Sequence, residues 1–140
     1  VNYYFLSDEE FDRMVHDDEM LEWAVVHGLA KYGTPRGPVE AALEEGNTVL
    51  LEVDLAGARQ VRESMPSAEQ IFLAPPSWDD LEARLRGRGT DSEQAILERL
   101  GKAEAEIEFA RGKFDREIVN DVLEDTFRAS EQMVDNFLKG

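Results

Sequence analysis

Apolar residues that recur every three to four positions mark helices, and short apolar runs bounded by Gly and Pro mark strands. Ser7 with Glu10 forms a capping box, and Phe11, Met14 and Val15 give the helix after it an apolar face. Residues 21–27 (LEWAVVH) read as a strand, residues 28–35 as a loop ending in YGTP, and residues 38–45 as a helix. Gly46 suits the left-handed position that closes such a helix. Residues 48–54 (TVLLEVD) are apolar and β-branched, as in a strand buried on both faces of a parallel sheet. A helix at 57–64 and a second buried strand at 70–74 (QIFLA) follow, stopped by Pro75 and Pro76. Ser77 opens a helix running to Arg86, and Thr90 with Glu93 makes another capping box. Ile96, Leu97, Leu100, Ala103 and Ile107 keep helical spacing to about Phe109. Residues 114–120 (FDREIVN) predict a third strand and 122–138 a last amphipathic helix.

Strands alternating with helices imply an α/β fold, a parallel sheet flanked by helices. In such sheets ligands bind beyond the carboxyl ends of the strands. Glu52 with Asp54, and Asn120 with Asp121, are expected at two of those ends.

Composition narrows the partners. The chain has 140 residues, 31 acidic against 15 basic, and a net charge of −16. That balance argues against non-specific binding to nucleic acid or an anionic membrane, since both need a basic face. No apolar run reaches the roughly 18 residues of a membrane span. The absence of cysteine excludes disulfides, zinc–thiolate sites and a thiol nucleophile, and fits a reducing, cytoplasmic setting. A phosphorylated small molecule stays compatible with the acidity, because it needs only a local basic pocket.

Arg84, Arg86 and Arg88 supply a candidate pocket, with Arg99 further on. Cations also suit a helix C-terminus, so a solvated helix end explains them equally well. Gly87 and Gly89 weaken a helix and fit a hinge that would let arginines close over phosphate. Glu52 and Asp54 share one face of their strand. Asp54 suits either a hydrated magnesium ion or an N-cap. Glu22 is either an edge-facing carboxylate or the acceptor for a base bearing two adjacent N–H donors. Tyr3 and Tyr32 suit a core or rim as well as a ligand. His16 and His27 lack a second ligand at metal spacing and read as structural.

Taken in order, YYFLS, LEWAVVHG, YGTP, LLEVDLAGA, FLAPPS, RLRGRGTD and IVND resemble guanylate kinase along the whole chain. FLAPPS with GRGT is the most specific pair. The resemblance implies a P-loop kinase-like fold with a small mixed β region for GMP and a helical lid. It implies residues 1–46 as the GMP-binding region, 47–76 and 110–140 as core, and 77–109 as the lid with its flanking helices. Tyr3 and Tyr32 would bond the GMP phosphate, and Glu22 and Thr34 the guanine. Glu52 stands where many members have aspartate, and Asp54 would lie near Mg2+ brought with ATP. Arg84, Arg88 and Arg99 would act at the lid and transfer site, and Asn120 beside adenine. Arg86 receives no role.

The implied reaction passes a phosphoryl group from ATP to GMP. The alternative is a non-catalytic interaction module built on the same fold. The family's G-x-x-x-x-G-K-[ST] loop and an arginine-rich T-T-R-x-x-R-like stretch are expected upstream of Val1. The 140 residues are therefore expected to be part of a longer enzyme, and by themselves to lack turnover and a central strand.

Overall fold

The computed structural model describes residues 4–26, 30–87, 89, 91–110 and 112–139, the side chain of Phe109 excepted. The chain forms two compact units, Val1–Ala68 and Glu69–Gly140.

The first unit holds α1 (Asp8–His16), β1 (Met20–Val26), β2 (Ala30–Pro35), α2 (Arg36–Glu44) and α3 (Leu55–Ser64). The expected capping box opens α1. Ser7 Oγ accepts from the Glu10 amide at 3.2 Å, and Glu10 Oε2 accepts from the Ser7 amide at 2.9 Å. Phe11 is the buried residue of that helix and meets Trp23 edge-on, with ring centroids 6.5 Å apart. Gly46 takes the expected left-handed conformation after α2, with φ of 82°.

Residues 30–35 correct the expected loop. They form β2, an antiparallel partner of β1. AKYGTP has no apolar alternation to announce a strand; pairing with β1 supplies the stabilisation that its own side chains lack. Gly33 lies opposite Trp23, where a Cβ would come within 2.5 Å of the Glu22 carbonyl oxygen. Lys31 ties β2 to α1 through Asp12 at 2.5 Å, a pairing that raises the lysine's pKa.

Residues 48–54 depart from expectation as well. Among the described residues they join no ladder. Burial still alternates along them as in an extended chain: Val49, Leu51 and Val53 are half-buried, while Leu50, Glu52 and Asp54 are exposed. Val49 and Leu51 pack on a core of Leu21, Val39 and Val61. The β-branched composition records an extended conformation, but a strand also requires a neighbour for its backbone.

Helix α3 lies against β1 and bonds to its backbone. Gln60 accepts from the Trp23 amide at 3.1 Å and donates to the Trp23 carbonyl at 3.0 Å. One turn later Ser64 Oγ donates to the Leu21 carbonyl at 2.7 Å. Arg36 gathers the other end, donating to the carbonyls of Asp18 at 3.1 Å and Ser64 at 2.9 Å.

The second unit holds β3 (Ile71–Ala74), α4 (Trp78–Gly87), α5 (Glu93–Ala110), β4 (Arg116–Val119) and α6 (Leu123–Lys139). β3 and β4 pair in parallel, with Ile71 opposite Arg116 and Ala74 opposite Val119. Both strands are shorter than the apolar runs that announce them. Ala74 and Ile118 are buried, but Leu73 is 56% exposed, so QIFLA is not buried on both faces. α6 packs on β4, and its buried Thr126 donates its hydroxyl to the Val119 carbonyl at 3.5 Å. His27 and Thr90 lie outside the described residues, so the expected Thr90 capping box does too. Ser92 caps α5, its Oγ accepting from the Ala95 amide at 3.2 Å. Among the described residues no helix is long and apolar enough to cross a membrane.

Gly33→Ala should destabilise the first unit by about 1–3 kcal/mol, the usual range for overpacking against fixed backbone. Chemical denaturation of the variant against the parent measures this. An unchanged midpoint would mean that the two strands separate more easily than their contact implies.

Candidate active site

Glu22 is 7% exposed, a carboxylate almost removed from water. Burial of that kind requires donors. Thr34 stands directly across the ladder and donates its hydroxyl to Glu22 Oε1 at 2.6 Å. The other oxygen, Oε2, faces the first turn of α3 at Gly57. That turn is fixed in its own right, because Asp54 Oδ1 accepts from the Gly57 amide at 2.8 Å. Of the two readings open for Asp54, the N-cap is therefore realised in the structure.

Three of the sequence-predicted residues, Glu22, Thr34 and Asp54, thus meet around one helix N-terminus, whose dipole favours negative charge. Tyr32 sits two residues before Thr34 on β2, opposite Ala24, and is 52% exposed. Glu52 is exposed on the same face as Asp54. Tyr3 lies outside the described residues.

In the second unit Arg84 and Asn120 come together: Arg84 Nη1 donates to the Asn120 carbonyl at 2.8 Å. The Asn120 amide in turn donates to the Ala74 carbonyl at 2.8 Å, so this contact sits at the carboxyl ends of both parallel strands. Arg99 pairs with Asp91 at 3.2 Å. Arg88 lies outside the described residues; Gly89, beside it, has φ of 64°.

Two participants escaped the sequence reading. Gly57 leaves open the space beside Glu22 Oε2, where a Cβ would come within 3.1 Å, and its only signal was a glycine inside a helix. Arg86 had no assigned role, yet it bridges the turn between two helices. It binds Glu82 one turn back in α4 at 2.8 Å and Glu93 at the start of α5 at 2.5 Å. The Glu82–Arg86 spacing of four was readable as a helical ion pair, but the longer reach to Glu93 was not. Arg86 is held more firmly protonated by Glu93 and then Glu82. Its hydrogen bond lowers the pKa of Glu93.

The α/β chain thus carries, in its second unit, a parallel strand pair with polar ends and an arginine-bearing helical segment, and, in its first, a buried carboxylate on a β-hairpin. The guanylate kinase family model matches residues 1–137, and the chain belongs to that family. It is 51% identical over 124 residues to the guanylate kinase of Cutibacterium acnes, covering 89% of this chain and 62% of that protein. It is 53% identical over 128 residues to that of Streptomyces coelicolor, covering 91% and 64%. It is 55% identical over 123 residues to that of Parasynechococcus marenigrum, covering 88% and 66%. The crystal structure of guanylate kinase from Anaplasma phagocytophilum superposes with a TM-score of 0.67 at 33% identity, covering 96% of this chain and 64% of that one. The chain thus spans under two thirds of the length of each of these relatives.

The Arg86–Glu93 pair has a testable sign. Folding lowers the proton affinity of Glu93, so the pair stabilises the fold above the unfolded carboxylate range, and its contribution fades as pH falls through the lowered native value. Arg86→Gln should return Glu93 to the ordinary glutamate range, followed by NMR titration of its carboxyl carbon. An identical titration in parent and variant would show that the pair does not persist in solution.

Proposed function

We propose that the protein containing this chain transfers the γ-phosphoryl group of ATP to GMP, giving ADP and GDP. The observation that carries this reading is the buried Glu22–Thr34 pair. Guanine presents N1–H and an amino group side by side on one edge. A carboxylate accepts both, and a threonine hydroxyl holds that carboxylate in place. Adenine offers an acceptor at N1, which would face the carboxylate without a proton between them. A site of this type rejects the wrong base by leaving buried polar groups unpaired.

Residues 1–46 are assigned to GMP, with Tyr3 and Tyr32 on its phosphate, Glu22 and Thr34 on its base, and Glu52 nearby. Residues 47–76 and 110–140 are assigned to the core, and 77–109 to the lid and its flanking helices. Arg84, Arg88 and Arg99 are assigned to the transferring phosphoryl group, and Asn120, with Arg84 and Arg88, to ATP. In the transfer, an oxygen of the GMP phosphate attacks the γ-phosphorus as the bond to the ADP oxygen breaks. Arginine suits this step because its planar fork matches phosphate oxygens and the catalysis is mostly positioning and charge stabilisation.

Among the described residues no group of three or more His, Asp or Glu side chains could hold a metal unaided. The exposed Asp54 fits instead a magnesium ion that arrives with ATP and keeps its waters, since that ion takes one or two carboxylates beside substrate phosphates. When bound, the ion neutralises charge on the β- and γ-phosphates. A cytoplasmic location accords with the cysteine-free composition.

Glu22→Gln in the complete protein should weaken GMP use and reduce the preference over AMP, which polar pairing of this kind sets at roughly 10⁴. Steady-state kinetics with both nucleotides measures it; unchanged discrimination would move base recognition elsewhere. Arg88→Ala should lower kcat by on the order of 10³ or more, as for arginines that stabilise phosphoryl transfer, with little change in GMP affinity. Near-normal turnover would remove Arg88 from the transfer step.

A further inference from the structure

Gly57 is buried in the first turn of α3, a position where glycine is a poor choice for the helix itself. Its backbone does not need glycine, because it lies in a helix and not among the positive-φ positions at Gly46, Gly89 and Gly112. A glycine kept in a helix without a conformational reason points to packing. The neighbours supply that reason. A Cβ at residue 57 would sit 3.1 Å from Glu22 Oε2, 3.1 Å from the Val53 Cβ and 3.4 Å from Asp54 Oδ1. Neither side of the contact can move freely. The Gly57 amide is fixed by Asp54 Oδ1 at 2.8 Å, and Glu22 is fixed through Oε1 by Thr34 at 2.6 Å.

We infer that Gly57 is a positioning residue for base selection: the space left by its missing side chain lets the Glu22 carboxylate seat against the N-terminus of α3 while keeping its bond to Thr34. The inference rests on the reading of Glu22 as the base-recognising group. A methyl group at residue 57 would displace Oε2 by a few tenths of an ångström. The displacement would tilt the carboxylate plane and spoil the simultaneous acceptance of two parallel N–H groups. The transferring phosphoryl group would be untouched.

Gly57→Ala in the complete protein should therefore raise KM for GMP about tenfold and erode the preference for GMP over AMP, while kcat and KM for ATP change by less than about threefold. A double-mutant cycle with Glu22→Gln separates this role from a general loss of stability. Once Glu22→Gln has removed the carboxylate, Gly57→Ala should add little further to KM for GMP; full additivity overturns the inference. If Gly57→Ala is too unstable to assay, thermal unfolding decides. The Tm loss from Gly57→Ala should be smaller in a Glu22→Ala background than in the parent, and equal losses overturn the inference. The two claims fail differently. Glu22→Gln without effect on base preference sinks the reading of Glu22, whereas a strong Glu22→Gln effect with an unaffected Gly57→Ala sinks the role of Gly57 alone.

Discussion

Glu22 is a carboxylate almost removed from water, and the elements around it supply a donor and a favourable field. A donor must come from across the ladder, which fixes the register of β2 so that Thr34 stands opposite. The ladder is irregular between Met20 and Glu22, which sets where the glutamate falls along the hairpin. A positive helix end must face the remaining oxygen, which fixes where α3 begins. Asp54 then serves that same helix end from the other side. Strand register, helix start and the preceding loop are in this way three answers to a single electrostatic demand.

Much of this was legible in the sequence, and the parts that were not share a cause. Capping boxes and buried stripes act within a few residues, so Ser7 with Glu10 and the apolar face of α1 were readable directly. The strand character of residues 30–35 was hidden because it comes from a partner, not from KYGT. Residues 48–54 misled in the opposite sense: their propensity is for extension, and they are extended in burial pattern, but propensity does not provide a ladder. The site shows the same division. Residue type and position marked Glu22 and Asp54, whereas Thr34 came only from the family resemblance. The importance of Gly57 depends on a side chain 35 positions away, and no local pattern carries such a contact.

The arginine-rich stretch is less uniform than its composition. Arg84 answers a backbone carbonyl, Arg99 an aspartate, and Arg86 two glutamates on successive helices. Equal charges thus serve different ends: one at the strand ends, another joining α4 to α5. Exposed pairs of this kind contribute little to stability individually. Their value lies in restricting how the two helices can be arranged. The strongly acidic remainder of the chain is no obstacle to such local chemistry.

The contact between Gln60 and Trp23 has a consequence beyond the hairpin. A side-chain amide carries N–H donors beside a carbonyl acceptor, and Gln60 uses one of each on the backbone of Trp23. With Ser64 on Leu21, α3 occupies the outer margin of β1 as a third strand would. A lone hairpin with an open margin is a template for recruiting foreign chains. Here the template is filled by a helix, which cannot propagate the pattern to another molecule.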